Sequence, residues 1–217
     1  MNDLANGKTH LVSRSRIQKD LGIWIQNDLK WHSQVCSAAS KGNRILGQVL
    51  HGIKFRTQTV IKLLYTSLVR PHLEYAIPVW CPYLEKDKRI LEAVQRRATR
   101  AISGFRDLNY NDRQKALNLT NLTERRMRGD LIQMFKAKRN IDHVKWQSPL
   151  TFSSRSTRGH PNKIKREIIK NCAQRYHFFT NRVVNGWNKL EVDAVEAQSC
   201  DIFKAKIDKN RHNIFCT

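Results

Sequence analysis

The chain has 217 residues, 40% of them hydrophobic, with only 9 glycines and 5 prolines, which excludes a disordered or low-complexity polymer and suffices for one medium or two small domains. Forty Lys and Arg face 18 Asp and Glu, a net charge of +22; such a surface repels itself and is relieved by a polyanion, with counterion release adding to the gain, or by acidic surface on a lost neighbouring domain. Cys36, Cys81, Cys172, Cys200 and Cys216 are odd in number, scattered and never in a CxxC pair, so neither a disulfide framework nor a zinc site is expected.

In chain order, residues 1–30 read as a short antiparallel β element. HLV and then IQKDLGIWIQNDLKW alternate apolar and polar around Leu21, Ile23 and Ile25, with turn signals at Asn6-Gly7 and between Asp20 and Gly22. Val35, Ala38, Ala39, Gly42, Ile45, Leu46 and Val49 follow helical spacing and predict a helix over about 32–51, its small residues admitting a close neighbour. Thr57 suits the cap of a second helix with Val60, Ile61, Leu64, Tyr65, Leu68 and Val69 on its apolar side. Pro71 and Pro78 predict a kink or break in the apolar stretch RPHLEYAIPVWCPYL, which reads as core together with Tyr65, Tyr75 and Trp80.

A third helix is expected over 86–103. Ile90, Leu91, Val94, Ala98, Ala101 and Ile102 form one stripe, Arg89, Arg96 and Arg100 stand opposite it, and Gly104 is a natural stop. A short helix follows over 110–117. Asn121 and Glu124 then have capping-box spacing before a helix to about 139 with Met127, Leu131, Met134 and Phe135 inward. Residues 141–165 are rich in Ser, Thr, Arg, Gly and Pro and read as a linker. Tyr176, Phe179, Val183, Trp187 and Leu190 predict one amphipathic helix, and Ser199 caps a last one with Phe203 and Ile207 inward. The expected fold is therefore mainly α: a β element over 1–30, a helical domain over 31–140, a linker over 141–165 and a smaller helical tail over 166–217.

No enzyme constellation emerges. The acids sit mostly beside Lys or Arg, and the cluster Glu191, Asp193 and Glu196 reads as a solvated turn. His72 and His160 lack ligand-spaced partners and read as structural, so no metal and no cofactor are expected. Arg89, Arg96, Arg97 and Arg100 on one helix, and Arg125, Arg126 and Arg128 on another, have few acidic neighbours and match phosphate with their planar forks. RNA, DNA or an RNA–DNA hybrid is the expected partner. Trp24 and Trp31 are open to base stacking, whereas Trp80 and Trp187 read as core. With no apolar leader and no membrane-length run, an intracellular location in nucleus or cytoplasm is expected, without membrane and without secretion.

DLGIWIQNDLKW (20–31), KGNRILG (41–47), LLYTSLVRPHLEYAIPVWCPY (63–83), LEAVQRRATRAISGFRDLNYNDR (91–113) and ERRMRGDLIQMFK (124–136) together resemble the C-terminal half of non-LTR (LINE, jockey-like) retrotransposon reverse transcriptases. TRGH (157–160), FFTNRVVNGWNKL (178–190) and FKAKID (203–208) are similar to the same family's tail. The resemblance implies that residues 1–30 end a palm, that Leu21, Gly22 and Ile23 belong to a primer-grip region, and that the following helices form a thumb over the template–primer duplex. It also implies that Lys41 and Arg44 lie near the duplex backbone. The family's Tyr-x-Asp-Asp motif is absent from these residues, so no catalytic role carries over. The chain is then expected to be a truncated reverse-transcriptase-like fragment that binds nucleic acid, an accessory part completed by a separate catalytic palm, or an inert retrotransposon relic or partial gene model.

Overall fold

The computed structural model describes residues 14–144, 146, 150–153 and 160–215. The chain is mainly helical with one small antiparallel sheet, as expected. Strands β1 (Ile17–Asp20) and β2 (Ile23–Gln26) pair with Asp20 opposite Ile23. The two residues between them, Leu21 (φ 44) and Gly22 (φ 84), both have positive φ, the backbone that a two-residue hairpin with right-handed twist requires. The expected HLV strand and the Asn6-Gly7 turn lie outside the described residues.

Helix α1 (His32–Gly52) matches its expected range. Its first turn is satisfied from the hairpin, because the Ser33 N–H donates to Gln26 Oε1 at 3.2 Å. Ala38, Ala39 and Gly42 are buried, and a Cβ added to Gly42 would meet Leu73 Cδ2 at 2.9 Å and Val94 Cγ1 at 3.5 Å. The small-residue face thus lets α1 pack on the two elements that carry Leu73 and Val94.

Those elements are α3 (Arg70–Glu74) and α4 (Glu85–Arg100). Helix α2 (Gln58–Leu64) is capped by Thr57, which accepts from the Val60 N–H. It continues through a π-helical turn (Tyr65–Val69) into α3, so Pro71 does not break the helix. The Arg70 N–H donates to the Tyr65 carbonyl, five residues back. This shifts the ladder just before the proline, which then sits in the first turn of α3, where a missing N–H costs little. Ile61, Tyr65, Val69 and Leu73 of this stretch are buried; Val60 and Leu68, expected inside, are exposed, and so is Tyr75.

Helix α5 (Tyr110–Leu117) has the expected ends, set by Asn109 accepting from the Asp112 N–H and by Asn118 at φ 47. Helix α6 (Leu122–Lys138) is capped by Asn121, which accepts from the Glu124 N–H. It belongs to two cores. Leu122 packs with Ile23, Val35, Leu46, Tyr65 and Trp80, while Leu131, Met134 and Phe135 pack with Val183, Trp187 and Phe203. Met127, expected inward, is exposed.

The single amphipathic helix expected around Tyr176–Leu190 is three short ones: α7 (Ala173–Tyr176), α8 (Phe179–Arg182) and α9 (Val184–Asn188). Phe178 is extended (φ −63, ψ 153). The carbonyls released at the break are taken by side chains, Asn181 Nδ2 donating to Tyr176 O at 3.1 Å and Arg182 Nη1 to His177 O at 3.4 Å. Phe179, Val183, Trp187 and Leu190 are buried as expected, and Tyr176 is exposed. Two more short helices follow the break, α10 (Val192–Val195) and α12 (Arg211–Phe215), on either side of α11 (Cys200–Lys209), which Ser199 caps as expected.

Part of the segment expected as a linker is core. Ile164 and His160 are buried, and Asn188 holds the Ile164 backbone with both its N–H and its carbonyl bonded. His160 Nε2 lies 3.0 Å from the Trp187 carbonyl, with its ring edge-on to the indole, a structural role.

Candidate nucleic-acid interface

Helix α4 positions the strongest cationic surface. Asp87, Leu91, Val94, Gln95, Ala98 and Thr99 are buried on one side. The other side exposes Lys86, Arg89, Arg96, Arg97 and Arg100. From Lys86 to Arg100 this stripe runs about 21 Å along the axis, at about 1.5 Å per residue.

The stripe is held rigidly from beneath by a buried polar cluster. Tyr65 Oη donates to Gln95 Oε1 at 2.9 Å. Gln95 Nε2 donates to Tyr110 Oη at 2.8 Å and to the Thr120 carbonyl at 2.9 Å. Tyr110 Oη donates to Glu92, whose other oxygen accepts the Leu122 N–H at 2.9 Å. Burial and the bond to Glu92 push the Tyr110 hydroxyl well above its ordinary range, so it remains a donor. One network therefore ties α4 to the π-helical turn that follows α2, to α5 and to the start of α6.

Arg96 lies 4.4 Å over the Tyr110 ring, and Arg97 Nη1 donates to Asn43 Oδ1 at 3.1 Å. Both guanidinium groups are thereby oriented without being neutralised. Together with Arg100 they line an open groove of ≈ 910 Å³ whose other cations are Arg56, Arg106 and Arg113. Arg56 Nη2 donates to the Leu50 carbonyl at 3.0 Å, and Arg113 Nη1 to the Leu108 carbonyl at 3.3 Å. The lining holds six arginines and no acidic side chain.

The other sequence-predicted residues separate into groups. Arg89 is exposed at the far end of the stripe and does not line the groove. Lys41 and Arg44 are exposed on α1, outside the groove and on the α3 side. Their charges add to burial in holding His72 below its ordinary range.

The expectation for α6 needs correction. Arg126 is 3% exposed, its guanidinium 4.3 Å over Trp80 and its Nη2 bonded to the Leu73 carbonyl; a phosphate backbone outside the protein cannot reach it. Arg125 grips Glu74 with two nitrogens, and Arg128 grips Asp208 at 2.6 and 2.7 Å. All three make internal contacts, although Nε and Nη1 of Arg126 have no acceptor. Their acids are 51 and 80 residues away in sequence for Arg125 and Arg128, so local charge counting does not find them. Arg56, Arg106 and Arg113 were missed for the converse reason: they lie on separate segments and converge only in the fold.

Leu21, Gly22 and Ile23 form the hairpin tip and the start of β2. Tyr75 Oη donates to the Leu21 carbonyl at 3.1 Å, and Ile23 is buried. Of the two tryptophans open to stacking, Trp31 packs against the first core, and Trp24 is half-buried with Lys19 5.6 Å above its ring. Among the described residues no group of three His, Cys, Asp or Glu side chains could hold a metal, and no helix is long and apolar enough to cross a membrane. Compared with known proteins, the chain matches no family model, no curated sequence and no solved structure.

Proposed function

We propose that this chain binds nucleic acid without strong sequence preference, through the arginine groove at the C-terminal end of α4. The observation that carries the reading is six arginines on one open groove with no acid among them, on a chain of net charge +22. A stack on Tyr110 and a bond donated to Asn43 hold two of those cations in place, so little side-chain entropy is lost when phosphate arrives. Guanidinium forks match phosphate oxygens, and each phosphate neutralised releases counterions. The groove's polar lining is arginine with one serine and no Asn, Gln, Asp or Glu, which supports backbone contact over base readout.

The motif resemblance extends this reading. The chain is a reverse-transcriptase-like fragment of the non-LTR retrotransposon type, its helices acting as a thumb and tail beside a template–primer duplex. It has no polymerase activity of its own and works, where it works in synthesis, with a separate catalytic palm inside the cell.

The test is binding of the purified chain to single-stranded RNA, duplex DNA and an RNA–DNA hybrid across a salt series, with primer extension in parallel. Salt-sensitive binding without extension is expected. Arg96→Glu with Arg100→Glu should weaken binding and reduce the log–log salt slope by about two units, at about 0.9 per phosphate contact on duplex DNA. An unchanged slope removes the groove from the interface; extension by the chain alone removes the non-catalytic reading.

A further inference from the structure

At the other end of α4 lies a second concavity of ≈ 180 Å³, between the 81–83 segment, the start of α6 and the His177–Arg182 stretch. It shares no lining residue with the arginine groove. Its cations are Lys88, Arg126 and Arg182, and its one acid is Asp130. Both oxygens of Asp130 are taken by Arg182, at 2.8 Å each. Lys88 pairs with Glu85 at 2.6 Å.

Arg126 is left over. It is 3% exposed, and its Nε and Nη1 are buried without an acceptor. Glu74, whose charge also reaches Arg126, is occupied on both oxygens by Arg125. Burial pushes the Cys81 thiol up, so it stays neutral and supplies no counter-charge. A buried guanidinium without an anion is strongly disfavoured, and buried polar groups in folded proteins find partners.

We infer that this pocket binds a phosphate-class oxyanion, with Arg126 as the principal ligand. The free Nε–H and Nη1–H of the guanidinium lie on different edges, and each offers such an ion one charge-assisted hydrogen bond. Thr123, in the first turn of the 17-residue α6, faces the same space, at the helix end that favours negative charge. The volume exceeds that of a single water, whose share of the liquid is about 30 Å³. Tyr83 stacks on His177 at 4.6 Å, and Pro82 and Leu91 complete an apolar wall that strengthens the charge contact by excluding water.

The experiment is isothermal titration of the full chain with inorganic phosphate at constant ionic strength. One saturable site is expected. Arg126→Met should weaken it by about tenfold or more, the loss of a charged hydrogen-bond pair. Thr123→Glu, which places a carboxylate one turn before Arg126, should abolish it while keeping the fold. Arg96→Glu with Arg100→Glu should leave it unchanged, because those groups line the other groove.

Absence of saturable binding in the wild type overturns the site, as does full binding by folded Arg126→Met. If Arg126→Met does not fold, Thr123→Glu decides, and undiminished phosphate binding by it overturns the site. Competition by a 5′-phosphorylated dinucleotide, with its 5′-hydroxyl counterpart inert, supports the site and assigns the ligand to a nucleic-acid end. Failure of both dinucleotides to displace bound phosphate supports it as a site for the free ion. Equal displacement by both overturns the assignment to a terminal oxyanion.

Discussion

Two arginines on neighbouring helices show how little a residue's type says about its worth. Arg182 holds Asp130 with two nitrogens and also donates to the Ile77 and Pro78 carbonyls at 3.1 Å each. Asp130 is 4% exposed, so Arg182→Met strands a buried carboxylate and should cost about 3–5 kcal/mol in urea unfolding. Arg128 makes an equally well-formed pair with Asp208, but on the surface; Arg128→Met should cost at most about 1 kcal/mol by the same measurement. The histidines give a pH signature. Burial holds His72, His160 and His177 below the ordinary histidine range. A histidine whose folded pKa is depressed favours the neutral form, so its contribution is complete above the unfolded value and is lost as pH falls. The thermal midpoint should therefore drop as pH falls through about 6.5, and His177→Gln should drop less over that window.

At the scale of the element, neighbours decide what the pattern means. Gly42 and Gly47 are both interior to α1. A Cβ at Gly42 would press on Leu73 and Val94, whereas one at Gly47 meets nothing within 4 Å. Gly42→Val should destabilise by about 1–3 kcal/mol through overpacking, and Gly47→Ala should stabilise by about 0.5–1 kcal/mol through lower chain entropy. Chemical denaturation of both variants reads the difference, and stabilisation by Gly42→Val would contradict the packing of α1 on α3. The α6 cap is legible locally. Asn121 accepts the Glu124 N–H at 2.8 Å, and Asn121→Ala should cost about 1 kcal/mol.

Across the whole molecule, charge and core organisation act together. A net charge of +22 destabilises the compact state by self-repulsion, which salt screens. The thermal midpoint should rise with sodium chloride from low ionic strength, while nucleic-acid affinity falls over the same range. Two cores meet along α6, so a destabilised C-terminal unit should loosen the contacts of α6 with α4 as well.

The sequence by itself determined the helical class, the ends of α1, α5 and α6, and most of the buried stripe of α4. Those features rest on period and capping, which act over a few residues and are written locally. It also marked the exposed arginines of α4, because a helix with one apolar stripe must present its other side to solvent. Tertiary structure alone decided the rest. It carried the helix past Pro71 by a π-helical turn and cut the Tyr176–Leu190 stripe into three pieces, because side chains took up the released carbonyls. It sorted the arginines of α6 into ion pairs and a buried stack, and it gathered Arg56, Arg106 and Arg113 beside Arg96 and Arg100. Whether an arginine is free, paired or buried depends on which distant segment lies against it, and contacts between distant segments have no local period from which to be read.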